Sequence, residues 1–155
     1  MTSAALCSEE QTQKFAAAVA RLLKPGDTVF LIGPLGAGKT FFIRAAAREL
    51  GVTEPVTSPS FTMAQTYQGM VTVHHLDLYR LATFSADDFP DFDPFFEADA
   101  ITFIEWPQQA QPFLQEPALV LELSHVDVCS RRIRIAGGRK ELIRQLEEEI
   151  AGTGD

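Results

Sequence analysis

The chain has 155 residues, of which 46% are hydrophobic and 22% are charged, and its formal net charge at pH 7 is −8. This composition is typical of a globular domain that can bury a core. The negative charge argues against direct nucleic-acid binding by the isolated chain, because contacts with phosphates need a basic surface.

The sequence also gives no support for membrane insertion or export. No apolar run approaches the roughly 20 residues that cross a bilayer, and the first residues lack the pattern of a secretory signal. Two cysteines, Cys7 and Cys129, are too few for a disulfide framework or a tetrahedral metal site. We therefore expect a cytoplasmic protein without a membrane partner, folded as a single domain over residues 1–155 with an ordered core from about 8 to 150.

The first predicted element is a helix that begins after Ser8. Ser8 and Gln11 have the spacing of a capping box, and Pro25 and Gly26 end the helix. The residues that share its apolar face are Phe15, Val19 and Leu22. Thr12 lies in the first turn, and the sequence leaves open whether its hydroxyl contacts a ligand or is a partly exposed helical group.

The next stretch, Gly33 to Thr40, reads GPLGAGKT and fits the phosphate-binding pattern G-x-x-x-x-G-K-[S/T]. Glycines let backbone N–H groups approach phosphates, Lys39 brings positive charge to the β and γ oxygens, and Thr40 can bind Mg²⁺. Residues 27–32 are predicted as a buried strand and residues 41–50 as a helix. The motif therefore lies between a strand and a helix, as its chemistry requires.

A hydroxyl-rich break follows the second helix. Residues 61–67 and 70–75 are predicted to pair as a β-hairpin across a Gln-Gly turn. Ser60 and Thr62 lie where phosphate-loop proteins carry switch segments that sense the γ-phosphate. Both residues are also ordinary turn formers near a proline, and this alternative has equal weight.

Two predicted strands, 71–77 and 101–105, each end in an acid. A carboxylate at the C-terminal edge of a strand beside the phosphate loop holds Mg²⁺ in this kind of fold. Either acid could serve. Glu105 is favoured for the metal because its strand looks buried on both faces, and Asp77 is favoured for positioning water. A purely structural acid at a strand end remains the alternative for each.

The residues around these acids have simpler predicted roles. His74 and His75 point to opposite faces of one strand, so they cannot share a metal ion, and both are predicted to be structural. Arg80 is expected at the surface. Short helical turns are predicted between residues 85 and 99, with their phenylalanines packed in the core rather than exposed for a partner. Trp106 is predicted to cover the metal site, to face a partner or simply to pack.

The last third is predicted to hold a short helix over residues 108–114, paired edge strands at 118–123 and 131–135, and an amphipathic helix over 139–150. The arginines of the second edge strand are expected on a solvated face. The predicted fold is α/β: a phosphate-loop nucleotide triphosphatase domain with a central, mostly parallel sheet, flanking helices and an antiparallel β-hairpin.

Several motifs together resemble those of one family, the bacterial TsaE (YjeE) ATPases of tRNA threonylcarbamoyladenosine biosynthesis. The resemblance covers roughly residues 8 to 135. The matching stretches, in order, are 8–12, the loop 33–40, Ser-Pro-Ser-Phe-Thr at 58–62, His-Leu-Asp-Leu-Tyr-Arg at 75–80 and Ile-Glu-Trp-Pro at 104–107.

This resemblance implies a protein that binds and hydrolyses ATP with Mg²⁺ and works with TsaD and TsaB to modify the adenosine next to the anticodon of certain tRNAs. Contact with tRNA would run through those partners. The implied catalytic residues are Lys39, Asp77 and Glu105, and the implied metal ligands are Thr40 and Glu105. The implied nucleotide-binding residues are Thr12, Gly33, Gly36, Ala37, Gly38, Lys39, Thr40, Phe41 and Arg131.

Two departures from the family pattern accompany these matches. Pro34 stands where the family usually has Asp, at a variable loop position, and the segment 89–96 is unusually rich in phenylalanine and proline. Two rival functions use the same loop. A nucleoside or small-molecule kinase would need a lid with several arginines, and no such segment is visible. A nucleotide-dependent switch with negligible turnover would use the nucleotide only to order residues 60–62 for a partner.

Overall fold

The computed structural model describes residues 3–59, 62–128 and 130–153, and a seven-stranded mixed sheet forms its centre. The strands are β1 (Ser3–Leu6), β2 (Thr28–Ile32), β3 (Ala64–Gln68), β4 (Thr72–Asp77), β5 (Ala100–Glu105), β6 (Leu119–His125) and β7 (Arg131–Gly138). They lie in the order β1-β7-β6-β2-β5-β4-β3. The four from β6 to β4 run parallel, and the outer pairs are antiparallel. The predicted α/β class, with a parallel centre and an antiparallel hairpin, is confirmed.

Three α-helices occur in the described residues: α1 (Glu9–Leu22), α2 (Lys39–Glu49) and α3 (Lys140–Thr153). The Ser8 hydroxyl caps α1 by accepting a hydrogen bond from the Gln11 N–H. The Gln11 side chain reaches the N–H of Cys7 rather than that of Ser8, so the capping box is one residue longer than predicted. Helix α2 begins at Lys39, two residues before its predicted start, because Gly38 turns the chain with φ of 98°.

The core has one layer on each face of the sheet. All three α-helices pack against one face, where their apolar side chains meet alternate residues of β2, β5 and β6. The other face is closed by short 3₁₀ turns between residues 79 and 113. Phe92 is buried in the apolar cluster there, and the partly buried Phe89, Phe95 and Phe96 pack against the same cluster, as predicted for this aromatic segment.

The sequence prediction differs from the structure at the sheet edges. The strands predicted as a pair of edge strands do pair, but β6 lies between β7 and β2, and β7 is covered by β1. The prediction missed β1 because the stretch Ser-Ala-Ala-Leu is short and has little strand propensity of its own. The edges of the sheet are therefore β1 and β3.

Two other predicted boundaries need correction. The predicted helix over 108–114 is two 3₁₀ turns, Pro107–Gln109 and Gln111–Phe113, because Ala110 interrupts the helical conformation and Pro112 lacks an N–H. The hairpin strand starts at Ala64, since Met63 before it has φ of 61°. Ser60, Phe61 and Cys129 lie outside the described residues.

Candidate nucleotide-binding site

The phosphate-loop motif connects β2 to α2, at the C-terminal edge of the parallel strands. Its lysine is folded back over the loop: Nζ of Lys39 donates to the carbonyl oxygens of Gly33 and Pro34, the second at 3.2 Å. The same Nζ lies 4.2 Å from the ring centroid of Trp106. Lys39 is only 5% exposed. The loop therefore already encloses the cation that its chemistry needs.

Burial lowers the pKa of Lys39 from its usual value, and the nearby charges of Glu105 and Asp77 oppose this shift. The three groups thus lie close enough to interact electrostatically. A cation flanked by two acids at the mouth of a phosphate loop is arranged to hold phosphate oxygens on one side and a metal ion on the other.

The hydroxyl of Thr40 joins the loop to β5. Its Oγ1 donates to Oε2 of Glu105 at 2.8 Å, and Glu105 is 4% exposed. Thr40 lies in the first turn of α2 and Glu105 is the last residue of β5, so the contact brings the two sequence-predicted metal ligands together.

Asp77 ends β4 and is the register partner of Glu105 on the adjacent parallel strand. Its carboxylate accepts hydrogen bonds from the N–H of Tyr79 at 3.2 Å and from the hydroxyl of Ser58 at 3.3 Å. Burial and then repulsion from Glu105 raise the pKa of Asp77, and these effects exceed the opposing effects of the two hydrogen bonds and of His75. Asp77 is therefore protonated more readily than an ordinary aspartate, a property of groups that exchange protons.

The donor set at this edge fits Mg²⁺. This ion is commonly bound by one or two protein carboxylates together with waters and substrate phosphates rather than by a cage of side chains. The described residues contain no cluster of three or more histidine, cysteine, aspartate or glutamate side chains able to hold a metal ion by themselves. Thr40 and Glu105, with Asp77 nearby, could hold Mg²⁺ once phosphate oxygens complete the shell.

A small cleft beside the loop contains the more distant predicted ligands. It has a volume of about 60 Å³, and its lining residues are Glu9, Thr12, Gly38, Phe41 and Arg131. Thr12 is 2% exposed rather than partly exposed, and its hydroxyl donates to the carbonyl of Ser8. Nη1 of Arg131 donates to the carbonyls of Asp127 and Ser130 at 3.2 and 3.1 Å. The structure therefore brings Thr12, Phe41 and Arg131 to one place beside the loop.

The remaining predicted ligands, Gly33, Gly36 and Ala37, lie in the loop itself. Gly33 has a specific steric role, because a Cβ atom there would overlap the carbonyl oxygen of Leu123. A larger cavity of about 340 Å³ lies elsewhere, between α2 and residues 52–57, and contains none of the predicted site residues.

Of the two switch candidates, Ser60 and Thr62, only Thr62 belongs to the described residues. The hydroxyl of Thr62 is exposed and donates to the carbonyl of Ala64 at 3.0 Å, which is a local turn contact. It is Ser58, two residues earlier than Ser60, whose hydroxyl reaches an acid of the site. The sequence signal was present, since Ser58 belongs to the same hydroxyl-rich stretch.

His75 is the main residue that sequence reasoning missed. It was predicted to be structural, yet its Nε2 lies 2.7 Å from Oε2 of Glu105, with the side chain fully buried. His74 points to the other face and contacts the hydroxyl of Thr66 at 2.8 Å. The alternation of side chains along a strand could have distinguished the two histidines, because His75 lies on the same face as Asp77 and His74 does not.

Trp106 covers the lysine. It has φ of 57° and ψ of 48°, a left-handed conformation that is uncommon for a non-glycine residue. Its ring contacts the ring of Tyr79 at 4.9 Å between centroids as well as Nζ of Lys39. The ring also packs against the apolar cluster on this face of the sheet, so two of the alternatives left open by the sequence, covering the site and packing, are both compatible with this geometry.

Together, the parallel sheet, the loop between β2 and α2, and the two strand-end acids define a phosphate-loop nucleotide triphosphatase fold. Comparison with known proteins narrows this class. The family model described as threonylcarbamoyl adenosine biosynthesis protein TsaE matches residues 6–133. The chain belongs to the TsaE family, as its motifs indicated.

Relatives from several bacteria carry the name tRNA threonylcarbamoyladenosine biosynthesis protein TsaE. The Treponema pallidum protein is 36% identical over 131 residues, covering 83% of this chain and 96% of that protein. The Aquifex aeolicus protein is 38% identical over 132 residues, covering 83% and 90%. The crystal structure of Bacillus subtilis YdiB superimposes with a TM-score of 0.78 at 26% identity, covering 99% of this chain and 96% of that one.

Proposed function

We propose that this protein is a Mg²⁺-dependent ATPase required for threonylcarbamoyladenosine modification of tRNA. The single observation that carries the proposal is the contact between Thr40 and Glu105, which joins the phosphate loop to a strand-end acid in a chain of the TsaE family. The relatives named for this biosynthesis match most of the chain, so the similarity is not limited to the phosphate-loop motif.

The proposed chemistry uses the residues at the sheet edge. The backbone N–H groups of the loop and the Nζ of Lys39 bind the phosphates, with Lys39 exchanging its carbonyl contacts for phosphate oxygens. Thr40 and Glu105 hold Mg²⁺, which when bound neutralises charge on the phosphate oxygens. Asp77 positions the attacking water and accepts its proton, a role for which its raised pKa suits it.

The remaining assignments complete the proposal. Thr12 and Arg131, which line the cleft beside the loop, contact the nucleoside part of ATP. TsaD and TsaB are the protein partners, and they supply the contact with tRNA because this chain has a net charge of −8. In the described residues, no helix is both long and apolar enough to cross a bilayer. A single domain and a cytoplasmic location remain predictions.

The decisive experiment measures ATP hydrolysis by the chain alone and with TsaD and TsaB, together with threonylcarbamoyladenosine formation on tRNA in the reconstituted system. We expect stimulation by the partners and a requirement for the chain. Lys39→Ala should abolish ATP binding or turnover, whereas Lys14→Ala, which alters an exposed lysine of α1, should not. Absence of both the stimulation and the requirement would refute the proposal.

The same assays separate the rival functions. Transfer of phosphate from ATP to an added nucleoside or small alcohol would identify a kinase. Tight ATP binding with no turnover in the presence of both partners would identify a switch.

A further inference from the structure

The carboxylate of Glu105 receives two hydrogen-bond donors on one oxygen. Thr40 reaches Oε2 from helix α2, and His75 reaches the same Oε2 from strand β4. The two donors approach at 2.8 and 2.7 Å, which are ordinary to short distances for hydrogen bonds to a carboxylate. The second donor is not part of the phosphate-loop motif.

The chemistry of the contact fixes the hydrogen position on the imidazole. An ionised carboxylate only accepts hydrogen bonds, so Nε2 of His75 carries the hydrogen. Nδ1 of His75 is buried and has no partner among the described residues, which favours a bare nitrogen over an unpaired N–H at that position. Glu105 is thus the one hydrogen-bond partner of the imidazole among the described residues.

His74 provides an internal comparison. It is also buried, at 5% exposure, but it contacts the hydroxyl of Thr66 and the edge of the Phe95 ring, on the face away from the acids. Burial and a polar contact are common to both histidines. The contact with a site carboxylate belongs to His75 alone of these two.

We propose that His75 is a positioning residue that fixes the carboxylate of Glu105 for metal binding. The inference rests on the proposed function, in which Thr40 and Glu105 both bind Mg²⁺. The Thr40 hydroxyl can bind the metal through a lone pair and still donate to Oε2. The His75 contact adds a second donor to Oε2, from a fully buried side chain on a neighbouring strand. His75 thereby keeps Oε2 in place and leaves Oε1 available to the metal.

The first test measures the Kd for ATP by calorimetry, with Mg²⁺ and with EDTA, for three variants. His75→Leu removes the donor, His75→Gln places an amide N–H near the position of Nε2, and His74→Leu is the matched buried control. We expect His75→Leu to lose about 10- to 100-fold of the tightening caused by Mg²⁺, with the Kd in EDTA unchanged. His75→Gln should recover most of the loss, and His74→Leu should match the wild type.

The outcomes separate this inference from the proposed function. A wild type that binds ATP equally with and without Mg²⁺ refutes the metal assignment and, with it, the role of His75. A Mg²⁺-dependent wild type that is matched by His75→Leu refutes the role of His75 alone. Equal losses in His75→Leu and His74→Leu also refute it, because the effect then belongs to packing of the strand.

A second measurement covers the case in which a substitution of so buried a residue prevents folding. Nitrogen-15 NMR of the three histidines in the wild-type, nucleotide-free chain reports which ring nitrogen carries the hydrogen. We expect hydrogen on Nε2 of His75. A neutral ring with hydrogen on Nδ1 alone overturns the inference, because Nε2 could not then donate to Glu105.

Discussion

Asp77 and Glu105 are register partners at the ends of adjacent parallel strands, and the pKa of Asp77 is raised by burial and by the charge of Glu105. An acid with a raised pKa in the folded state binds its proton more readily there than in the unfolded chain. Stability therefore falls as pH rises from the ordinary aspartate value of 3.8 through the folded-state pKa, and the loss is complete above it.

The first prediction follows from this loss of stability with rising pH. Asp77→Asn should raise the Tm of the nucleotide-free protein at pH 7, because the penalty for an ionised Asp77 is removed. The gain should shrink as pH falls toward 4 and both proteins carry a neutral side chain. Thermal unfolding measured across this pH range tests the prediction. An Asn variant that is less stable than the wild type by one margin at every pH would contradict it.

A second prediction separates the two acids by their kinetics. Glu105→Gln should lose Mg²⁺ dependence and slow turnover by roughly 100-fold while ATP binding in EDTA is kept, because the metal ligand is lost but the phosphate loop is intact. Asp77→Asn should slow turnover and retain Mg²⁺-dependent ATP binding. Glu122→Gln is the control, since Glu122 is a 40% exposed acid paired with Arg134. Wild-type kinetics for Glu105→Gln would contradict the metal assignment.

A third prediction concerns two glycines of the loop. Alanine at Gly33 would overlap the backbone oxygen of Leu123, which cannot move without disturbing β6, so Gly33→Ala should destabilise the fold and the site together. Alanine at Gly38 would approach Nε of Arg131 at 2.9 Å, and that side chain can move. Gly38→Ala should cost only about 1–2 kcal/mol for its left-handed backbone.

Denaturant unfolding and ATP binding of both glycine variants check this order. The Gly33 variant should show the larger loss in unfolding free energy. A Gly38 variant with the greater loss would mean that the backbone conformation of the loop outweighs the overlap with β6.

A fourth prediction concerns the opposite end of β2. Asp27 precedes β2 and accepts two hydrogen bonds from the guanidinium of Arg139, at 3.0 and 3.1 Å, and one from the N–H of Lys24. Asp27→Ala should lower the free energy of unfolding by about 1–2 kcal/mol, because Arg139 is partly exposed and water weakens the pair. Breaking the exposed Glu122–Arg134 pair should cost less than about 0.5 kcal/mol.

Unfolding in urea measures both pairs, and ATP turnover provides the specificity control. Asp27→Ala should leave turnover unchanged at a temperature where the variant is folded, because the loop is at the other end of the strand. Equal losses of stability for the two pairs would show that the burial of Asp27 adds nothing.

The loop and its neighbouring strand and helix could be predicted from the sequence because the motif has fixed residue types and a fixed structural context. The strand-end acids could be predicted one at a time. Their side-by-side register could not, since β4 and β5 are separated by more than twenty residues of irregular chain and the pairing depends on the whole sheet.

Other features could not be predicted because contacts between distant parts of the chain determine them. The pairing of β1 with β7 depends on the partner strand and not on the strand propensity of the four residues of β1. The contact of His75 with Glu105 could not be predicted without the strand order. Alternation along a strand tells which face of the sheet a side chain lies on, but not which strand lies next to it. The left-handed conformation of Trp106 has no signal in its residue type, and tertiary packing determines it.

The position of Lys39 has a consequence for the strength of phosphate binding. The fold removes its ammonium group from water, because loop carbonyls and the Trp106 ring surround it. A phosphate that enters the loop replaces neutral dipoles around this cation. Because the cation is dehydrated when the protein folds, the free energy of its dehydration does not weaken phosphate binding. Part of the affinity of the loop for phosphate is therefore provided by the fold, at the cost of some stability of the folded protein.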